Sequence, residues 1–149
     1  MSKVNPGNKC SHLFDQYGPE DKLTNPVKQM FDMQKSLQKF LSERGRGMDF
    51  DKADFMDKVH QINDDWKNLT LEFAELVERL PHKSWKTYTE EQMAGFTSEE
   101  EKLEVWYEYV DMLHFFMNIG LALGLDGETV ERLYVTKNKE NFDRQKRGY

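Results

Sequence analysis

Apolar residues recur at helical spacing along most of this chain, and nowhere do they alternate as a half-buried strand would. Asn25 followed by Pro26 marks a helix start, because proline at the first helical position loses no hydrogen bond. Val27, Met30, Phe31, Leu37 and Leu41 give that helix one apolar face, and Gly45 and Gly47 end it. A second helical region is predicted from about Asp51 to Leu80, with a break near Asn63 as an option. Its stripe is Ile62, Trp66, Leu69, Phe73, Leu76 and Leu80, and Pro81 stops it. Residues 82–97 read as a connector carrying Trp85, Tyr88 and Gly95. The third helix opens on a Ser98–Glu101 capping box and closes at Gly124, and a fourth runs from about Asp126 to Gln145. Residues 1–24 mix proline, glycine and polar side chains, as an arm or loop does. The expected architecture is all-α, a helical bundle formed by one domain over residues 25–149 behind that arm.

Polar residues interrupt this pattern where apolar ones belong. From Val105 to Leu123 the third helix is apolar at nearly every position, which predicts burial on most sides. Its exceptions, Glu108, Asp111, His114 and Asn118, fall in one stripe about 120° wide. Two carboxylates ~4 Å apart repel by ~4 kcal/mol at an effective dielectric of ~20, so a cation should face them. Glu72 and Glu75 on the second helix form a matching pair three residues apart. Either that pair is an ordinary solvated face, or the two helices pack antiparallel and four carboxylates hold a hard divalent ion, magnesium or manganese. His114 reads more readily as a satisfied core histidine than as a ligand. Asn118 could read a sugar or base, or cap a neighbour.

The first helix repeats the anomaly, with Gln34 and Gln38 inside its apolar face. A buried amide without partners costs ~1–3 kcal/mol, and either a nucleobase edge or the backbone would satisfy it. On the fourth helix Lys137, Asn141 and Arg144 are spaced i, i+4, i+7. Between Arg132 and Arg147 six basic residues face two acidic ones. That is either a triphosphate clamp or a basic helix end complementing its own dipole.

Composition narrows the classes. A formal net charge of -6 argues against broad nucleic-acid binding but leaves room for a small anion at a local basic patch. The lone Cys10 makes no internal disulfide and suits a reducing compartment. The start MSKVNPGNKC lacks a signal peptide's apolar core, and no apolar run nears the ~20 residues that span a bilayer. A cytoplasmic protein without membrane association is expected.

Taken together, these residues resemble the all-α (MazG-like) nucleoside triphosphate pyrophosphatases, whose metal motif ExxE…ExxD reads here Glu72-Phe-Ala-Glu75 and Glu108-Tyr-Val-Asp111. LEFAELVERLPHKSWK (71–86) and EYVDMLHFFMNIGLALG (108–124) are similar to the metal helices of dimeric dUTPases. LYVTKNKENFDRQKRGY (133–149) resembles the carboxyl terminus shared by dimeric dUTPases and phage dCTP pyrophosphatases, and NPVKQMFDMQKSLQKFL (25–41) is similar to the base-reading helix of the phage enzymes. The resemblance implies that Glu72, Glu75, Glu108 and Asp111 bind magnesium and that Gln34 and Gln38 reach the pyrimidine. It implies that Lys137, Asn141, Arg144 and Tyr149 hold the phosphates, with Trp85 and Lys86 closing the site. Gln38 replaces the usual asparagine of dimeric dUTPases and His82 a frequent tryptophan, which points to dCTP beside or ahead of dUTP. The implied reaction is attack of metal-activated water on the α-phosphorus, with Glu72 or Glu75 as general base, by a homodimer. Cys10 has no context for a covalent route. Rival readings are a carboxylate di-iron bundle, for which Asp111 and His114 have the spacing but no second copy exists, and a non-catalytic nucleotide-binding regulator.

Overall fold

The computed structural model describes residues 10–13 and 23–148, and among them every regular element is a helix. Helix α1 spans Pro26–Ser42, α2 Phe55–Glu78, α3 Glu90–Ala94, α4 Glu99–Ala122 and α5 Gly127–Arg147. The arm expected over residues 1–24 lies mostly outside the described residues.

Local chemistry sets each boundary. Pro26 opens α1, and Gln29 Oε1 takes the Asn25 N–H at 2.9 Å. The chain leaves α1 through Gly45 and Gly47, both at positive φ (71° and 70°), which glycine adopts without penalty. Asp54 Oδ1 caps α2 by accepting from Asp57 N–H at 2.8 Å. No break occurs at Asn63: α2 is continuous, because Asn is a weak helix former whose preference packing overrides. The expected connector holds a short helix, α3, started by a reciprocal Thr89–Gln92 capping box. Ser98 Oγ accepts the Glu101 N–H at 3.0 Å to start α4. Gly124 at φ 80° ends that helix, with the Leu125 N–H returning to the Gly120 carbonyl at 2.9 Å. Asp126 Oδ1 caps α5 through the Thr129 N–H at 2.7 Å.

The chain divides into two compact units, and α2 and α4 contribute to both. One unit takes Trp66–Phe115 with residues 10–13. There the carboxyl-terminal part of α2 and the amino-terminal part of α4 meet around the acidic residues. The other takes residues 23–65 and 116–148, where α1 packs on α5 and Phe31, Phe50, Met117 and Leu121 are buried. Gly127 lets α1 and α5 touch through backbone, since a Cβ there would sit 2.5 Å from the Val27 carbonyl oxygen.

Helix α4 is less covered than its composition predicts. Val105 and Met117 are buried, yet Trp106 is 52% and Tyr109 62% exposed within this chain. On α2, Trp66 and Phe73 are likewise exposed although they sit on the apolar stripe. Hydrophobic periodicity reports which face seeks burial, not whether one copy of the chain supplies the cover.

Candidate functional site

In the first unit α2 carries Glu72 and Glu75 one turn apart, and α4 carries Glu108 and Asp111 at the same spacing. Glu72, Glu108 and Asp111 each offer a carboxylate oxygen, all within 4.8 Å of one another. Among the described residues no other set of three His, Cys, Asp or Glu side chains converges this way. Glu75 is exposed and outside the trio, although its charge reaches both Glu72 and Asp111. His114 is also outside it, which leaves a histidine-containing di-iron arrangement without support.

The electrostatics of the trio are unbalanced. Burial first, then the charges of Asp111, Glu75 and Glu108, push the Glu72 carboxyl above its ordinary pKa. Burial also raises Asp111, against a lowering pull from His114 and with a further rise from Glu75. Arg79 meets part of the charge: its Nη2 lies 2.6 Å and its Nε 2.8 Å from Glu108 Oε1. The same guanidinium reaches buried Glu104 at 3.9 Å. Burial raises the Glu104 carboxyl, but the Ser11 N–H at 2.7 Å and Arg79 outweigh it and hold the group low. One arginine against three clustered carboxylates leaves a surplus of negative charge in a partly desolvated place. An oxygen-only donor set with that surplus fits a hard divalent cation. Burial and the carboxylates of Asp111, Glu104 and Glu108 push the Cys10 thiol up, which keeps it protonated and a poor nucleophile.

The second unit holds the buried amides. Gln34 (3% exposed) donates from Nε2 to Asn118 Oδ1 at 2.7 Å. Asn118 (2% exposed) donates from Nδ2 to Asp65 Oδ1 at 3.3 Å, and Gln61 Nε2 donates to Asp65 Oδ2 at 2.9 Å. Gln38 takes the Met48 N–H on its Oε1 at 3.2 Å, so the backbone satisfies one side of that amide and its Nε2 is the donor side.

The other expected residues are spread over both units. Trp85 is 82% exposed, and Lys86 borders a cavity of about 370 Å³ with Arg79, Tyr88, Met93 and Phe96. Lys137 and Asn141 are exposed on α5, whereas Arg144 is held by Glu140 Oε1 at 3.0 Å. Tyr149 lies outside the described residues. Three buried or half-buried groups, Asp65, Arg79 and Glu104, are absent from the set that the sequence pattern picks out. Asp65 carries a readable signal, since it stands three residues after Ile62 and four before Leu69, inside the stripe they define.

A model of the dUTPase family matches residues 26–126. A dCTP pyrophosphatase of Enterobacteria phage T4 is 31% identical over an alignment covering 95% of this chain and 98% of that relative. A dCTP pyrophosphatase of Enterobacteria phage LZ5 is 47% identical over 70 residues, 45% of this chain and 41% of that relative. No solved structure is significantly similar. No helix among the described residues is long and apolar enough to cross a membrane. With most of its helical region matched by the family model and nearly its whole length aligned to a phage relative, this chain belongs to the dUTPase / phage dCTP pyrophosphatase family.

Proposed function

We propose that the chain is a magnesium-dependent pyrophosphatase that hydrolyses dCTP, dUTP or both to the monophosphate and pyrophosphate. The observation that carries this reading is the meeting of Glu72, Glu108 and Asp111 oxygens from two helices within 4.8 Å. A divalent cation held by these three carboxylates supplies charge neutralisation for phosphate oxygens and a lowered pKa for water.

The chain's own groups divide the remaining work. Glu72 is committed to the trio, which leaves the exposed Glu75 carboxylate, one turn further along α2, to accept the proton of the attacking water. The water oxygen ends on the α-phosphorus, the bond from that phosphorus to the bridging oxygen breaks, and pyrophosphate leaves. Arg79 holds Glu108 in place through two contacts to one oxygen. Lys137 and Asn141, with Arg144, Lys86, Trp85 and Tyr149, are assigned to phosphate binding and closure. Gln34 and Gln38 are assigned to the base, with Asn118 acting on it through its hydrogen bond to Gln34, and the Gln38 Nε2 donor suits a pyrimidine acceptor. The exposed Trp106 and Tyr109 on α4 support a second copy of the chain as their cover, and sedimentation should show a dimer.

The test is pyrophosphate release from dCTP, dUTP, dTTP and dATP with and without magnesium. Wild type should turn over at least one pyrimidine substrate, while Glu75→Ala and Glu108→Gln should lose activity by at least about a hundredfold with helical circular dichroism intact. Activity retained in either variant removes this reading, and tight nucleotide binding without release would mark a regulator instead.

A further inference from the structure

The buried carboxylate of Asp65 has no place in the metal cluster or in the phosphate-binding set, yet at 1% exposure it is more completely enclosed than any described residue of either. Its hydrogen-bond partners are two neutral amides, Gln61 and Asn118, one on each oxygen, and neither brings a positive charge. An ionised carboxylate only accepts hydrogen bonds, so both amides must turn their NH2 groups toward it. For Asn118 this leaves Oδ1 on the opposite side, where it takes the Gln34 Nε2 at 2.7 Å. The polarity of three side chains in a row therefore follows from one negative charge. A primary amide is nearly symmetric in shape, and packing alone cannot tell its oxygen from its nitrogen. Only hydrogen bonding can.

We infer that Asp65 is a specificity-determining positioning residue: through Asn118 it fixes which end of the Gln34 amide faces a pyrimidine base. The inference rests on the assignment of Gln34 to the base under the proposed function. Cytosine and uracil differ at the 4-position and at N3 by exchanging a donor for an acceptor, so the direction of an amide is the property that separates them. Turning the relay round exchanges Oε1 and Nε2 of Gln34 in space and presents the opposite edge.

The chemistry of the relay supplies the variants. In Asp65→Asn, with Gln61 still donating from Nε2 as it does in wild type, the new side chain accepts from Gln61 on its oxygen and offers NH2 to Asn118. Asn118 must then turn, and Gln34 with it. In the double exchange Asp65→Asn, Asn118→Asp the carboxylate sits at position 118 and accepts from both neighbours. Gln34 again donates from Nε2, as in wild type. The measurement is the ratio of kcat/KM for dCTP to that for dUTP, by pyrophosphate release. Asp65→Asn should move this ratio by about tenfold or more, the scale of one exchanged hydrogen bond, and the double exchange should bring it back to within about threefold of wild type. An active Asp65→Asn with the wild-type ratio overturns the inference, as does a shifted ratio that the double exchange fails to restore. Loss of folding in Asp65→Asn leaves the double exchange to decide, since it keeps one carboxylate and one amide: a folded protein with an altered ratio overturns the inference. If wild type releases no pyrophosphate from either nucleotide, the assignment of function has failed. Calorimetry then gives the ratio of dCMP to dUMP affinities instead: a shift in Asp65→Asn that the double exchange restores supports the relay, and an unmoved or unrestored ratio overturns it.

Discussion

Replacing Asp111 by asparagine removes one of three carboxylates whose oxygens lie within 4.8 Å, and the effect should change sign with the metal. Two unit charges at that spacing repel by about 3.5 kcal/mol at an effective dielectric of ~20 and by about 0.9 kcal/mol in water. Glu72 and Asp111 are both partly open to solvent, so screening sets the relief nearer about 1–2 kcal/mol. Glu108 adds little, because Arg79 stands 2.6 Å from it. In EDTA, Asp111→Asn should therefore be the more stable protein and melt several degrees higher. The pH dependence has the same origin. Burial first, and then neighbouring carboxylates, raise Glu72, and burial raises Asp111, so the folded state holds protons that the unfolded chain has already released. Wild-type stability in EDTA should fall as pH climbs from the ordinary carboxylate range through these raised values, with the penalty complete above them. Saturating magnesium should reverse the order of the two proteins. Wild type gains RT ln(1 + [Mg]/Kd), and the variant, short of one ligand, gains less. Differential scanning calorimetry in EDTA and across a magnesium titration measures both halves. A variant less stable than wild type in EDTA, or equal magnesium gains in the two proteins, would refute the reasoning.

Two further substitutions probe other parts of the structure. Gly127→Ala would ordinarily gain up to ~1 kcal/mol of helix propensity. Here its Cβ would meet the Val27 carbonyl at 2.5 Å, and forcing α1 from α5 costs ~2–3 kcal/mol, so urea denaturation should show a net loss. Arg79→Gln removes the cation beside Glu108, which is only 7% exposed, and should lower stability in EDTA by about 2–3 kcal/mol. Much of that loss should return with magnesium, and a loss indifferent to the metal would assign Arg79 a packing role alone.

Fold class was legible because helix starts and stops carry local chemistry. Asn25-Pro26, Ser98 with Glu101, and Gly124 act through hydrogen bonds within a few residues, so sequence distance and spatial distance coincide. The Thr89–Gln92 box obeys the same rule, but its helix is five residues long, too short for a period to register. The carboxylate stripe was legible for a different reason: acidic residues on an apolar helix are too costly to be incidental. Arg79 was not, since its partner Glu108 lies 29 residues away and nothing local ties the two. The exposure of Trp106 and Tyr109 was also beyond reach, because an apolar face does not say which surface covers it.

The two polar clusters differ in what they lack. The amide relay runs from Gln34 through Asn118 to Asp65, where Gln61 joins it, and each NH2 group along it meets an acceptor. Among the described residues no buried side-chain nitrogen or oxygen lacks a hydrogen-bond partner. The relay therefore needs no ligand for stability and can hold a fixed polarity before a nucleotide arrives, as selectivity requires. The carboxylate trio is the reverse case: apart from the contacts of Arg79 to Glu108 its negative charge is unmatched, and a bound cation would relieve the repulsion. Each cluster lies within its own unit and carries its own task. Metal binding should alter the stability of the acidic cluster strongly, while the relay should keep its selectivity whether or not the metal is bound.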